Sequence, residues 1–395
     1  MRSPDAPTPA AGESPDAAEA RRVLLLCNAC QFCDGYCPVF PALKRRRTLA
    51  EADLTFLANL CHNCRACYHA CQYAPPHGFA VNLPRSLSLV RQDSYARHVR
   101  PAPLGRLFRR NGQVVLGFTA ALVAALLLAA LALIPAELLF ARHAGPGAFY
   151  RLVPWPLMAG VAGLAAGWAV LAVGCSVASL WRAMGPAPRA ALAPSLWEAV
   201  RDAVSLRHLG GGGAGCNDRT ERFSTVRRRF HHAMAGGMVL CFAATSVATI
   251  YDHLFGWPAP YPLLSLPVLL GTAGGIGVMA GTAGLAALKW RADPGPVAQE
   301  VQGTDLALLV QLFLAAASGL VLLALRDGPA MGVLLLAHLG IVLALFLTVP
   351  CGKLLHAPFR LAALLRDALE RRVSGRGRAA TGSPARSGAP PPPAP

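Results

Sequence analysis

The residues most able to do chemistry in this sequence are its cysteines. Eight of the twelve cysteines occur in two runs with one spacing, in which successive cysteines are separated by two, two and three residues. The first run is Cys27, Cys30, Cys33 and Cys37, and the second is Cys61, Cys64, Cys67 and Cys71. This spacing is typical of thiolates that hold four-iron clusters, and Pro38 follows the first run as in the bacterial form of the motif. The sequence therefore predicts two [4Fe-4S] clusters.

The ligands of the two clusters are expected to cross between the runs. In two-cluster ferredoxins the fourth cysteine of each run binds the cluster that the other run holds. On this rule one cluster takes Cys27, Cys30, Cys33 and Cys71, and the other takes Cys61, Cys64, Cys67 and Cys37.

Zinc and disulfides are the competing explanations for clustered cysteines. A structural zinc site needs four ligands, usually in two pairs separated by a longer loop, so two tight runs of four fit clusters better. Disulfides need an oxidising compartment, and no apolar signal segment precedes the runs.

Much of the remaining chain has the composition of a membrane protein. Of its 395 residues, 54% are hydrophobic and only 14% are charged, whereas soluble domains carry about 25% charged residues. Six stretches of 20 residues or more lack Asp, Glu, Lys and Arg, and about 20 apolar residues cross the hydrocarbon core of a bilayer. They are residues 111–136, 152–181, 230–251, 253–288, 306–325 and 328–352.

Basic residues are unevenly divided among the loops between these stretches. The segment 97–110 holds five arginines and the loop between the second and third stretches holds nine, whereas the opposite loops hold only Arg142, Arg151 and Arg326. Because cytoplasmic loops carry the excess of Lys and Arg, we expect a multi-pass protein of the plasma (inner) membrane with both termini and the cysteine region in the cytoplasm. The net charge of +17 is explained by this placement beside lipid head groups, so nucleic acid is not an expected partner.

The predicted fold is mainly α. Residues 43–60, between the cysteine runs, carry leucines among charged and small residues, which indicates helix rather than strand. We therefore expect an N-terminal α-helical two-cluster ferredoxin-like domain followed by a six-helix transmembrane bundle. The predicted segments are a disordered leader at 1–20, the two-cluster domain at 21–95, a basic membrane-surface collar at 96–112, the transmembrane domain at 113–372 and a disordered tail at 373–395.

Four histidines near the predicted spans are candidate haem ligands, because ionisable residues in spanning helices are often functional. His231 and His232 open the third stretch, His338 lies inside the sixth, and His356 lies just past its end. His338 and His356 are 18 residues apart, about 27 Å along a straight helix, so they cannot bind one iron. We expect one or two b-type haems, the first held by His356 with His231 or His232, the second by His338 with His253. The alternative is that His231 and His232 are interfacial and His356 is a surface residue.

Several of these segments resemble the tricarballylate/citrate-utilisation protein B family, and the resemblance covers about residues 20–370. The matching segments are the cysteine runs with their flanks at 27–40 and 60–77, the loop at 210–216, the arginine-rich run into His231 and His232, and residues 350–360.

The resemblance implies a membrane protein that takes electrons from a cytosolic FAD-dependent dehydrogenase and passes them to membrane quinone. A fused relative in the family is associated with flavin, b-type haem and two iron–sulfur centres. The last two helices also resemble the membrane subunit of respiratory nitrate reductase, whose haem histidines share the 18-residue spacing of His338 and His356. The third helix lacks the second histidine of that subunit, which leaves the number of haems open.

Two other functions are compatible with membrane-bound clusters. One is a membrane-anchored redox sensor, which would normally carry an output domain. The other is a heterodisulfide-reductase-like subunit, which would normally carry further cysteine-rich motifs. The sequence shows neither feature outside the two runs.

The duplicated run predicts a metal content. Protein purified without oxygen should contain about eight non-haem irons and about eight acid-labile sulfides per chain, four of each for every cluster. Cys37→Ser should perturb the electron paramagnetic resonance signal of the cluster bound mainly by the second run. Zinc in place of iron would rule out the clusters, and a change confined to the first-run signal would rule out the crossed ligands.

Overall fold

The structure is a computed structural model that describes residues 13–108, 110–210 and 215–380. Within these residues every regular element is helical, apart from an isolated bridge between Cys216 and Ser224. The predicted mainly α fold is confirmed. Most of the predicted leader (1–12), Arg109 of the collar, and residues 381–395 of the tail lie outside the described residues.

The α-helices in the described residues follow one another without an intervening sheet. They are α1 (Pro15–Cys30), α2 (Val39–Lys44), α3 (Glu51–Leu60), α4 (Ala66–His69), α5 (Leu83–His98), α6 (Leu104–Phe108), α7 (Asn111–Leu133), α8 (Ala136–Leu139), α9 (Trp155–Ala183), α10 (Leu192–Val204), α11 (Val226–Phe255), α12 (Leu266–Trp290), α13 (Gln302–Leu325), α14 (Met331–Thr348) and α15 (His356–Ala380). We call α1–α5 the cysteine domain.

The first helix begins before residue 21, where the sequence predicts the end of a disordered leader. Ser14 caps it, because its Oγ accepts a hydrogen bond from the backbone N–H of Ala17 at 3.2 Å. Pro15 occupies the first turn, where a missing N–H costs nothing. Ala17 and Ala20 are buried in the core of the cysteine domain, so a cap and an apolar face order this segment.

The core of the cysteine domain includes residues from the far end of the chain. Tyr95 of α5 lies between the rings of Phe108 and Phe359, whose centroids are 5.6 and 5.3 Å away. Leu180, near the end of α9, and Phe359 of α15 are fully buried in the same core as Phe56 of α3. The cysteine helices therefore pack directly on α9 and α15.

Ion pairs hold α15 in register on the cysteine domain. Arg46 pairs with Asp53 of α3 at 2.7 Å and with Glu370 of α15 at 2.9 Å. Arg45 pairs with Asp367 of α15. These pairs are half-buried or buried, so they join the two ends of the chain more firmly than exposed pairs would.

Six helices, α7, α9 and α11–α14, are long and apolar enough to cross a membrane. We call them the membrane bundle, and they confirm the predicted six spans. Two of them, α11 and α12, approach closely through small residues. A Cβ atom on Gly274 of α12 would lie 2.8 Å from the carbonyl oxygen of Gly237 on α11, and one on Gly281 would lie 2.6 Å from that of Phe230.

Some helices extend beyond their predicted ends. α11 runs from Val226 to Phe255, so Asp252 and His253 lie inside the helix rather than at its boundary. α15 continues to Ala380, into the segment that the sequence predicts as a disordered tail. Its length has a physical cause, because Arg366–Glu370 and Arg371–Asp367 are ion pairs one turn apart on this helix.

The shared core predicts that α15 stabilises the cysteine domain. Phe359→Ala should destabilise it by about 3–5 kcal/mol, because it removes a fully buried aromatic side chain. The measurement is the midpoint of thermal loss of iron–sulfur absorption in detergent-solubilised protein, which should fall by several degrees. Val373→Ala, at an exposed position of the same helix, is the matched control. Equal midpoints for the two variants would contradict the shared core.

Candidate functional site

The first cysteine run lies at the end of α1 and in the turn that follows. Cys30 is the last residue of the helix, and Gln31 ends it in a left-handed conformation with φ of +57°. Its backbone N–H bonds the carbonyl of Cys27 at 2.9 Å. Cys30 is exposed, whereas Cys27 and Cys33 are half-buried.

The second run lies at the end of α3 and around the short helix α4. Cys61 follows the last residue of α3, and Cys67 lies within α4. Asn63 and Arg65, on either side of Cys64, have positive φ angles of 54° and 67°. Cys61 and Cys64 are buried, so the second run lies deeper in the protein than the first.

The fourth cysteine of each run lies near the thiols of the other run. Burial, together with the neighbouring charges of Cys33, Cys71 and Cys30, raises the pKa of Cys27 to about 12. This places Cys71 with the first run. The ligand assignment itself stays a prediction.

Cys37 shows the reciprocal arrangement. Burial raises the pKa of the Cys37 thiol well above its usual range, and the charges of Cys64 and Cys61 act in the same direction. Thiols with raised pKa values that face one another need a metal to hold them as thiolates, which suits iron–sulfur ligation.

The thiols of the described residues do not converge on a site for a single metal ion. Among the described residues, no three His, Cys, Asp or Glu side chains lie close enough together to hold one metal ion. The four thiolates of a cubane each bind a different iron, so they stand farther apart than the ligands of one ion. The donor set fits the clusters that the spacing predicts.

A loop of the membrane region covers the second run. The backbone N–H of Asn217 bonds the carbonyl of Cys64 at 3.0 Å, and Arg227 at the start of α11 donates to the carbonyl of Asn63 at 2.8 Å. Arg65 donates to the carbonyl of Asp218 at 3.1 Å. The spacing of the sequence gives no sign of these contacts, which dock the second run on the membrane bundle.

Cys216 is a ninth cysteine at this contact. It is fully buried in a small cluster with Cys64, and its Sγ bonds the carbonyl of Leu209 at 3.2 Å. Burial raises the pKa of Cys216, while the Arg227 guanidinium lowers it. The sequence indicates no role for Cys216 because it stands alone in its segment.

A cavity of about 270 Å³ lies where the cysteine domain meets the membrane bundle. We call it the junction cavity. Its membrane side is lined by apolar residues that include Met234, Leu285, Leu308 and Leu309. Its titratable lining is His62, Arg65, Arg91, Tyr95, Asp218, Arg227, His231, Lys289, Asp305, Lys353, His356 and Arg360.

His231 and His356 are neighbours in this cavity, with ring centroids 6.3 Å apart and ring planes at 80°. Metal bonds to imidazole nitrogen of about 2.0–2.1 Å, as in zinc sites, put two ligand nitrogens on opposite sides of one metal about 4 Å apart. The ring centroids then lie roughly 6 Å apart, which matches the separation of His231 and His356.

The His356 ring is held as a metal-binding imidazole would be. Its Nδ1–H donates to the carbonyl of Lys353 at 2.6 Å, so in the neutral ring Nε2 is the nitrogen free to bind a metal. Burial lowers the pKa of His356 to about 3, and the charge of Lys353 acts in the same direction. The residues present therefore fit an axial haem ligand in its neutral form.

His232, the other candidate partner, points elsewhere. It is exposed, and its Nε2–H donates to the carbonyl of Val204 at 3.1 Å. Of the two adjacent histidines, the structure brings only His231 to His356.

The outer pair of histidines is engaged with two different helices. His338 shares a hydrogen bond of 2.9 Å with Ser318 of α13, and Gly319 leaves room for its ring. The His253 ring makes an edge-to-face contact with Trp155 of α9, with centroids 4.6 Å apart. The geometry gives the second haem less support than the first.

Three charged residues at the cavity were not identified from the sequence as part of a site. Asp305 at the start of α13 forms ion pairs with Lys289 at the end of α12 and, at 2.9 Å, with Lys353 after α14. Each residue directly flanks an uncharged stretch, so the pattern marks it only as the end of a span. The signal in the sequence is that the ends of these three spans carry charges of opposite sign.

Both parts of the chain, the cysteine domain and the membrane bundle, match known protein families. Residues 20–97 match a domain described as "Citrate utilization protein B Fer4-like domain", and residues 107–377 match a family described as "Citrate utilization protein B". With six helices able to cross a membrane, these define a multi-pass membrane protein with an iron–sulfur electron-transfer role.

A relative from Escherichia coli identifies the family within this class of membrane proteins. Citrate utilization protein B of Escherichia coli is 44% identical over 357 residues, which are 90% of this chain and 93% of the relative. The chain therefore belongs to the citrate utilization protein B family, as the motifs predict. No solved structure matches it.

The geometry at the junction cavity predicts which histidines hold haem. His356→Ala and His231→Ala should each abolish the low-spin haem absorption of this site, because each removes one axial ligand. His232→Ala should retain the spectrum and serves as the control. The measurement is the reduced-minus-oxidised spectrum of purified protein with intact cluster signals. Loss of haem from His232→Ala alone would show that His232, and not His231, is the ligand opposite His356.

Proposed function

We propose that this protein carries electrons from a cytosolic FAD-dependent dehydrogenase, of the tricarballylate or citrate-utilisation type, to the quinone pool of the plasma (inner) membrane. The proposed route uses two [4Fe-4S] clusters and at least one b-type haem. The observation that carries the proposal is the docking of the second cysteine run on the membrane bundle, beside the cavity that holds His231 and His356.

Clusters and haem supply one-electron transfer when they are bound. The residues of this chain hold and separate them. Cys27, Cys30, Cys33 and Cys71 would hold one cluster, and Cys61, Cys64, Cys67 and Cys37 the other. The buried second run would face the membrane, and the more exposed first run would face the donor.

The outer surface of the first run supports contact with a soluble donor. Phe32, two residues after the exposed Cys30, is 57% exposed, and Leu25 on α1 is 50% exposed. Large apolar side chains around an exposed ligand are a suitable contact for a partner, because aromatic residues carry much of the binding energy of protein interfaces.

The direction of transfer follows from the proposed orientation. The arginine-rich loops, both termini and the cysteine domain would lie in the cytoplasm, where the dehydrogenase is found. The relative in Escherichia coli is named for citrate utilization, which supports a tricarboxylic acid as the substrate class of the donor. Quinone would take the electrons within the lipid bilayer.

The proposal is tested by reduction with the partner. Full-length protein in nanodiscs with a quinone should be reduced by the dehydrogenase and its substrate, with haem reduction followed by stopped-flow absorption. Phe32→Ser should slow this reduction about tenfold, as expected for an interface aromatic residue, and leave reduction by dithionite unchanged.

Phe223→Ser is the matched control, because Phe223 is a similarly exposed aromatic residue in the loop before α11. Haem that dithionite reduces but the dehydrogenase does not would overturn the proposed donor. Reduced haem that never reduces quinone would overturn the proposed acceptor.

A further inference from the structure

Three arginines of the junction cavity, Arg65, Arg91 and Arg360, form no ion pair with an Asp or Glu among the described residues, and of these Arg65 is engaged with the backbone carbonyl of Asp218 at 3.1 Å. Arg91 of α5 is only 7% exposed, and its closest polar contact is a long one of 3.5 Å to Ser88 Oγ. Neither Arg91 nor Arg360 of α15 forms an ion pair with an Asp or Glu within residues 13–108, 110–210 and 215–380. The Nε atoms of both are buried and make no hydrogen bond there.

The two acidic residues of the cavity are already paired with other cations. Asp305 pairs with Lys289 and Lys353, and Asp218 pairs with Arg227 at 3.5 Å. No cavity carboxylate remains for Arg91 or Arg360. The cavity therefore holds an excess of positive charge.

Such an arrangement is costly without an anion. A buried charge is stable only when it is paired and hydrogen-bonded, and Arg91 faces Arg360 as a like charge. Burial lowers the pKa of Arg360 to about 10, with the charge of Arg91 acting in the same direction, so Arg360 is still charged at neutral pH. The Cys61 side chain, a proposed cluster ligand, also lies near Arg360.

The rest of the cavity indicates which kind of anion fits. One wall is apolar, through Met234, Leu308 and Leu309. The same cavity is lined by the imidazoles of His231 and His356, whose ring centroids lie 6.3 Å apart. A ligand for this site has an apolar body, a metal at its centre and acidic groups at one edge.

We infer that Arg91 and Arg360 bind the propionate carboxylates of the haem whose axial ligands are His231 and His356. The inference rests on the proposed function and adds the residues that recognise the acidic edge of the group. Arginine suits this task because its guanidinium donates several N–H groups to a carboxylate in a fixed geometry. Arg91 and Arg360 are positioning residues, which set how tightly and in which orientation the haem is held.

The test compares haem with its dimethyl ester, which lacks the two negative charges. Full-length protein produced in cells that cannot make haem, with its iron–sulfur absorption intact, is titrated with each compound, and the dissociation constants are read from the absorption spectrum. The parent protein should bind haem about tenfold or more tighter than the ester, because two charge-assisted contacts are lost.

The arginine variants decide whether Arg91 and Arg360 recognise the propionates. In Arg91→Gln with Arg360→Gln the preference for haem over the ester should fall to less than about threefold, mainly through weaker binding of haem. Arg360→Lys, which keeps the charge, should retain an intermediate preference. The matched control is Arg85→Gln on the same helix as Arg91, because Arg85 is exposed and pairs with Glu300 at 2.9 Å.

The outcomes separate the two levels of the argument. A parent protein that binds neither compound would overturn the proposed haem and this inference with it. A parent that binds haem and ester equally, or a double variant that keeps the full preference, would overturn the inference and leave the proposed electron route standing. A double variant without iron–sulfur absorption is replaced by the single variants, each of which should lose part of the preference.

Discussion

The structure depends on an apolar core that the cysteine domain shares with the end of the membrane bundle. Tyr95 lies between Phe108 and Phe359, and each of these three rings comes from a different helix. Apolar burial drives this packing but gives it no direction. The ion pairs of Arg46 with Asp53 and Glu370 supply the register. Together, the apolar core and the ion pairs hold the second cysteine run against the membrane helices. Any chain of cofactors from the cysteine domain into the membrane bundle requires this placement.

That placement forces the protein to bury charge near lipid. Asp305 forms ion pairs with two lysines and Asp218 with one arginine, and the low pKa of His356 keeps its imidazole neutral. A sequence optimised for stability alone would replace such groups with apolar residues, often at no loss. Their retention in one cavity, beside two neighbouring histidines, is the usual mark of a site that binds a charged group.

The sequence predicts the parts of this protein that depend on local patterns. The two cysteine runs and the six spans both follow from spacing or composition. Sequence patterns do not identify the histidine that lies beside His356, because His231 and His232 lie at the same depth and differ by about 100° of rotation around the helix. Only the packing of α11 decides which of them points inward.

Two other features were beyond a pattern-based prediction. Asp305 and its lysines were visible only as the ends of uncharged stretches, although they form one network. The contact between α15 and the cysteine domain joins segments from opposite ends of the chain, and no periodicity links them. Both depend on tertiary contacts between residues distant in sequence, which propensity and composition do not contain.

The shared core also sets an order of assembly. Ala20, Leu24 and Leu57 emerge early in synthesis, but Leu355 and Phe359, which complete the same core, emerge only after all six spans. Domains built from contiguous segments can fold as they leave the ribosome, whereas the core of this one is complete only once the residues after the sixth span have been synthesised.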